Sequence, residues 1–415
     1  LSCTWQRRAT AVSVRARAWP AQAWGRFGRG ACPPPSDLSV GRERIVVGMS
    51  GGVDSSVAAA LLVEQGFLVV GVTLRVWPWT EPEDPKKKFG SCCSPETVDD
   101  ARQVARRLGI PYYLLNTEQE FDQSVVVNFA AEYSAGRTPS PCVVCNREVK
   151  FGTLRRRALA WEASAVATGH YARVEYDPNA GRYLLKKGRD LRKDQSDFLW
   201  PLTQEQLKAA RFPIGELTKE EVRAIARDRG LVTADKPESQ EICFIPENDY
   251  REFLRRRAPS AFRPGPIVDR AGRVLGEHRG LADYTIGQRR GLGITSGQAL
   301  YVVALDPDRN AVVVGGAPDL EETRLVATQV NFILFDSLDG EMRVAAKVRH
   351  SHTPAPATIS PRAPGEVGRR GEVRRWGEVD VRFDAPQRAI APGQSVVFYQ
   401  DDLVVGGGII SREPS

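Results

Sequence analysis

Arg44-Ile45-Val46-Val47-Gly48-Met49-Ser50-Gly51-Gly52-Val53-Asp54-Ser55-Ser56-Val57-Ala58-Ala59-Ala60-Leu61-Leu62 is the stretch that decides the fold. A short β-branched run passes into small residues and then into an apolar pattern of helical spacing, which reads as buried strand, tight loop and helix. The same alternation continues outward. Phe67 to Leu74 is a second buried-strand pattern. Ser94-Pro95 then supplies an N-cap with Pro at the first helical position, opening a helix that runs to Leu108 and stops at Gly109. Pro111-Tyr112-Tyr113-Leu114-Leu115 reads as a third strand, and Ala163 to Gly169 as a fourth, entered from a helix near Phe151 to Trp161. Strands alternating with helices predict an α/β fold with a parallel sheet covered on both faces.

From about residue 203 the pattern changes to polar helices, including Thr218 to Arg229 with the capping-box start Thr218-Lys219-Glu220-Glu221, and reads as a linker region. Beyond about residue 265 come short strands separated by Gly, Pro and Asp turns, such as Tyr301 to Leu305 and Ala311 to Val314, so small β-barrels are expected there. At 415 residues the chain exceeds one ordinary core. The expected divisions are an extension over 1–42, an α/β domain over 43–236, a central linker domain over 237–318 and a C-terminal β-barrel over 319–415.

The net charge of +7 resembles a nucleic-acid signal, but residues 1–42 carry seven Arg and one Asp, a local net of +6, which leaves the body at +1. An RNA surface must therefore come from local patches such as Arg155-Arg156-Arg157, Lys186-Lys187 and Lys347-Val348-Arg349. No run approaches the length of a membrane span. The Arg-rich, acid-poor extension with Cys32-Pro33-Pro34-Pro35 fits either a transit peptide to a mitochondrion or plastid or an incidental N-terminal extension of a cytoplasmic protein. Seven Cys in so long a chain do not make a small secreted disulfide scaffold, so a reducing compartment is expected.

Consecutive glycines between a buried strand and a helix let backbone N–H groups and the helix's positive end face a phosphate, with Ser50 and Ser55 adding hydroxyls. No Gly-Lys-Ser/Thr ending follows, so this is not the loop of γ-phosphate hydrolases. Leu74 and Gly169 end the second and fourth strands, at the carboxyl edge where a parallel sheet takes its ligand. A core leucine and a turn glycine are the alternatives. Downstream, Gly136-Arg137-Thr138-Pro139-Ser140-Pro141-Cys142-Val143-Val144-Cys145-Asn146 places two thiols three residues apart, just before a helix whose positive end would stabilise a thiolate. Ser239-Gln240-Glu241-Ile242-Cys243-Phe244-Ile245 puts another Cys in an apolar run, where inert core is the commoner outcome.

The Ser-Gly-Gly-x-Asp-Ser loop resembles that of the ATP pyrophosphatases. Together with Gly136 to Phe151, Ala167-Thr168-Gly169-His170-Tyr171, Lys193-Asp194-Gln195-Ser196, Cys243-Phe244-Ile245, Thr285 to Gly293 and Ala391 to Ile410, the chain resembles the tRNA-specific 2-thiouridylases over essentially residues 44 to 412. That resemblance implies ATP held by Gly48, Met49, Ser50, Gly51, Gly52, Val53, Asp54, Ser55, Leu74 and Gly169, with Asp54 organising Mg²⁺ beside the triphosphate. It implies adenylation of the O2 atom of the wobble uridine and replacement of that oxygen by sulfur. Cys243 would accept sulfur as a persulfide, and Cys145 would act as the nucleophile that releases it by forming a disulfide with Cys243.

The family pattern often has Asp where this chain has Cys142, which removes a carboxylate from the site. Cys142, Cys145 and Cys243 offer three thiolates that could instead hold an iron–sulfur cluster, with Cys92-Cys93 adding two more thiols, and both sulfur chemistries stay open. Ser140, Pro141 and Cys142 would frame a flipped uridine, with further tRNA contacts at Lys193, Asp194, Gln195, Arg349 and His350. The implied partners are tRNA and a persulfide-donor protein, and a monomer is expected. Two rivals share parts of this pattern. An ATP-dependent ligase or amidotransferase acting on a small metabolite has no use for Cys145 and Cys243, and a non-catalytic RNA-binding protein leaves the phosphate loop unexplained.

Overall fold

Strand β1 (Arg44–Gly48) lies at the centre of a five-stranded parallel sheet ordered β3 (Tyr112–Asn116), β2 (Leu68–Arg75), β1, β4 (Ala165–Ala167) and β7 (Ala210–Arg211). The computed structural model describes residues 42–78, 94–237, 242–245, 249–362 and 377–411. The extension to residue 41, Cys92-Cys93 and Ser239-Gln240-Glu241 lie outside these. Ile45 and Val47 pack with Val57 and Ala58 of helix α1 (Val53–Glu64) on one face, while Val46 packs with Phe151 and Leu154 on the other. All three β1 residues are fully buried, each contributing about 1.5–3 kcal/mol, which is why the strand is a continuous β-branched run. Helix α2 (Pro95–Leu108) begins and ends as its sequence predicts. The Ser94 side chain accepts from the Thr97 N–H, Pro95 opens the first turn, and Gly109 closes the helix at φ 68°.

The polar helices after residue 203 belong to this α/β unit, which corrects their reading as a linker. Helix Lys219–Asp228 carries the reciprocal Thr218/Glu221 capping box, and its buried Val222 and Ala226 join Ile214, Leu231 and Ala234 in the core that covers α1. Its polarity is that of one exposed face. Between β4 and β7 the chain also builds a hairpin, β5 (Ala172–Asp177) and β6 (Arg182–Lys187), that leaves the parallel sheet. The hairpin reaches the C-terminal strands, where Lys186 pairs with Leu403 and Arg173 meets Asp402 at 2.7 Å.

Helix Tyr250–Arg257 packs Phe253 and Leu254 against Phe121, Phe129 and Phe244. A four-stranded sheet follows, with β8 (Gly265–Asp269), β9 (Val274–His278), β10 (Tyr301–Asp306) and β11 (Ala311–Gly315) in the order β10-β11-β8-β9. Six antiparallel strands then close a barrel: β12 (Glu321–Phe332), β15 (Gly377–Arg388), β14 (Ala355–Pro361), β13 (Met342–Lys347), β16 (Ser395–Gln400) and β17 (Leu403–Ser411), with β17 pairing back on β12. Closure removes the sheet edges, and inward residues such as Val344, Ile359, Val381, Phe398 and Val405 fill the centre. Among the described residues no helix is long and apolar enough to cross a membrane.

The turn between β15 and β16 grips the segment ahead of Cys142. The Thr138 N–H donates to the Pro392 carbonyl at 2.8 Å, and Gln394 Nε2 donates to the carbonyls of Thr138 (2.8 Å) and Pro139 (3.3 Å). Gly393 sits at φ +90°, where an added Cβ would meet Thr138 N at 2.9 Å and Arg137 Cβ at 3.0 Å. Gly393→Ala should therefore lose about 1–3 kcal/mol of stability in denaturant unfolding. Gly66→Ala, at φ +88° with nothing within 4 Å, carries the backbone strain alone and should cost less. Equal losses would show that the Thr138 contact adds nothing.

Candidate functional site

At Gly51 the chain turns with φ +70°, and a Cβ there would lie 2.1 Å from the Thr97 carbonyl oxygen, so no side chain fits between the loop and α2. Ser55 Oγ closes the loop by accepting from the Ser50 N–H at 3.1 Å, with Ser50 Oγ 3.2 Å away. The N-cap is Gly52, which has no side chain to bond the first-turn N–H groups of α1. An uncapped helix N-terminus behind two glycines is suited to an anion. Gly48 and the buried Met49 lead into the loop, with Met49 anchored by N–H to Val72 O (2.7 Å) and by its carbonyl accepting from Thr73 Oγ1 (2.7 Å). Val53 is buried beneath the helix start.

Asp54 is engaged by residues that carried no assigned role in the sequence. Lys219 Nζ donates to both of its oxygens, at 2.8 and 2.9 Å, and Tyr171 OH donates to Oδ1 at 2.8 Å. A second ammonium, Lys236 Nζ, donates to the Gly51 carbonyl at 3.0 Å and pairs with Asp100. Two lysines from 218–237 thus bring positive charge to the loop. The only sign of Lys219 in the sequence was its place in the capping box. Asp54 Oδ1 thus accepts two hydrogen bonds and Oδ2 one. Gly169 packs on the loop itself, since a Cβ there would lie 2.5 Å from Ser55 N and 2.6 Å from Asp54 C. Leu74 ends β2 half-buried, and it touches both the core behind the sheet and the aromatic cluster around the cysteines.

Ser140-Pro141-Cys142 opens a single α-helical turn, Pro141–Val144, that continues as a π-helix over Cys145–Thr153. Such widened turns gather at functional sites. Cys145 and Cys243 both pack against one aromatic cluster, built from Phe121, Phe129, Phe244 and Phe253 and bordered by Leu74 and Trp77. Cys243 is half-buried and thus departs from the inert-core reading. Cys142 is solvent-exposed as a residue, while desolvation and Asp197 push its thiol up and Lys150 pulls it down. No group of three His, Cys, Asp or Glu placed to hold a metal ion occurs among the described residues.

The expected RNA contacts divide. Asp194 is buried and accepts from the N–H groups of Gly188 (3.0 Å) and Ser196 (3.1 Å) and from Ser196 Oγ (2.9 Å), and burial holds its carboxyl above the usual range. Gln195 Oε1 accepts from the Tyr171 N–H at 3.1 Å. Both side chains therefore bind the protein's own loop, while Lys193 stays half-exposed beside them. Arg349 is half-buried and donates to the Ala389 carbonyl. His350 is exposed, with Nδ1 2.9 Å from Asp197 Oδ2 and its ring 4.6 Å from that of Phe198. Asp197, which the sequence reading did not single out, also holds the buried Lys347 at 3.3 Å. The basic patches are largely neutralised, by Arg155–Glu205, Arg157–Glu120 and Lys186–Glu175 pairs. His170 is buried against Thr168 Oγ1 at 2.7 Å, and burial with Lys150 nearby lowers it far below the usual imidazole range.

Three family models match in order: a tRNA methyl transferase HUP domain over residues 43–247, a tRNA methyl transferase PRC-barrel domain over 251–316 and an aminomethyltransferase beta-barrel domain over 322–410. The chain is 52% identical over 372 residues to the tRNA-specific 2-thiouridylase MnmA of Heliobacterium modesticaldum, covering 89% of this chain and 93% of that protein. It is 53% identical to that of Moorella thermoacetica, covering 88% and 98%, and 50% identical to that of Acetivibrio thermocellus, covering 89% and 99%. With about half of the residues identical over nearly nine-tenths of its length, and three family models matched in order, the chain belongs to the tRNA-specific 2-thiouridylase family.

Proposed function

We propose that this protein is an ATP-dependent tRNA sulfurtransferase that replaces the 2-oxygen of the wobble uridine with sulfur. The observation that carries the reading is the packing of Cys145 and Cys243 on one cluster bordered by Leu74, near the carboxyl edge of the sheet that carries the uncapped phosphate loop. A ligase for a small metabolite needs neither the cysteine pair nor the barrel. The loop seats the ATP phosphates with Lys219 and Lys236 offsetting their charge, and Mg²⁺ enters bound to the phosphates themselves. Uridine O2 attacks the α-phosphorus, the bond to the β-phosphate oxygen breaks and pyrophosphate leaves.

The adenylated oxygen is now a leaving group. A persulfide on Cys243, loaded by a donor protein, attacks C2 through its terminal sulfur, and AMP departs. Cys145 thiolate then attacks the Cys243 sulfur, the S–S bond breaks, and its electron pair stays with the thiolated base. A Cys145–Cys243 disulfide results, and an external thiol reduces it. Ser140, Pro141 and Cys142 frame the uridine in this reading, and Lys193, Arg349 and His350 face the tRNA.

Purified protein supplied with ATP, a persulfide source and a tRNA transcript should form 2-thiouridine, read by mass spectrometry of digested tRNA. Cys243→Ser and Cys145→Ser should each lower the yield about a hundredfold or more while ATP binding persists. Full activity in either would remove that residue's role. Lys219→Met should weaken ATP binding at least about tenfold, or ~1.4 kcal/mol, by calorimetry. Unchanged affinity would mean that Lys219 serves only Asp54.

A further inference from the structure

Adenylation of a uridine oxygen has a proton requirement. The neutral base carries a hydrogen on N3, and attack through O2 leaves a cation unless that proton departs as the O2–phosphorus bond forms. A base beside the uridine seat is therefore needed. Cys142 is unsuited to the task, because an ordinary thiol is mostly protonated near neutral pH and its surroundings do not lower it on balance. Lys150, whose charge reaches the same place, is a cation. Asp197 is already committed to Lys347 and His350.

The remaining acceptor comes from the barrel. His350 Nδ1 lies 2.9 and 3.2 Å from the two oxygens of Asp197, whose side chain is 6% exposed, so the carboxylate fixes the tautomer with the proton on Nδ1. Nε2, with no protein partner among the described residues, carries the lone pair, and the side chain is 51% exposed. Lys347 Nζ, 3.3 Å from the same carboxylate, balances its charge without a proton on the imidazole. The ring also sits against Phe198, whose carbonyl accepts from Asn146 Nδ2 at 3.1 Å, and Asn146 directly follows Cys145. A histidine from the last domain is thereby tied to the cysteine helix of the first.

We infer that His350, held by Asp197, is the proton acceptor of the adenylation step, with Asp197 and Lys347 as its positioning residues. Nε2 takes the N3 proton as the O2–phosphorus bond forms and pyrophosphate leaves. AMP leaves while C2 is still bonded to the persulfide sulfur, and the imidazolium returns the proton to N3 as Cys145 breaks the S–S bond, which leaves the C2–S double bond. Uncharged imidazole is restored, and no further reactant is consumed. The charged and titratable groups around His350 are Lys347, Arg349 and His352 on the barrel side and Asp197 of the first unit, whose charge also reaches Cys142 beside Lys150.

This inference rests on the thiolation reading, and the test separates the two. Single-turnover, tRNA-dependent pyrophosphate release should fall about a hundredfold in His350→Ala. The loss should persist at saturating tRNA, the pH dependence seen in the wild type should flatten, and added imidazole should restore a substantial part of the rate. Asp197→Asn should lower the rate without imidazole rescue. Weaker tRNA binding with an unchanged rate at saturation would make His350 a plain tRNA contact and overturn the assignment, as would an unchanged pH profile. Wild-type protein that forms no 2-thiouridine would instead overturn the thiolation reading, and this inference with it.

Discussion

The contact between Asp54 and Lys219 joins positions 165 residues apart, and the functional end of the α/β unit depends on it. Asp54 stands in the first turn of the helix that presents the phosphate loop, where an unneutralised carboxylate would repel the anion that the helix end attracts. Lys219 meets both of its oxygens, and Tyr171 adds a third hydrogen bond. To deliver that ammonium the chain must add β7 to the sheet and lay helix Lys219–Asp228 on α1, with Val222 and Ala226 in the shared core. Loop electrostatics and core packing are thus satisfied by the same segment.

The barrel completes the other half of the site by similar means. Gln394 and Pro392 bind the backbone of Thr138 and Pro139, just ahead of Cys142, while Asp197 of the first unit holds Lys347 and His350 of the barrel. Tyr171 stands between the two halves. Its hydroxyl donates to Asp54, its N–H to Gln195, and Ser196 next to Gln195 lies 3.1 Å from Tyr399 OH of the barrel. The Lys193-to-Ser196 motif thus spends Asp194 and Gln195 on bracing its own loop, while Ser196 reaches the barrel.

Local features were legible wherever a residue type has a local mechanism. The buried β1 run, the Ser94 cap, the Gly109 stop and the capping box at Thr218 each follow from backbone chemistry within a few residues, and each occurs as the sequence predicts. The helix at Lys219 reads as linker by its composition although the expected α/β domain runs to residue 236, because an exposed polar face looks the same on a linker as on a core helix. Surface charges misled for a related reason. Lys347 in Lys347-Val348-Arg349 reads as a basic patch, yet its ammonium points inward to a buried carboxylate 150 residues away.

By itself, then, the sequence determined the strand, glycine loop and helix that make a phosphate seat, the separation into α/β and β parts, and the cysteines available for sulfur chemistry. Those depend on periodicity, on backbone freedom at glycine and on residue identity. Only the tertiary structure decided that Lys219 neutralises Asp54, that Cys145 and Cys243 share one aromatic cluster, and that Asp197 ties His350 to the cysteine helix. The physical reason is range. Hydrogen bonds and ion pairs act over a few ångströms, and which distant side chains come that close is settled by how the core packs.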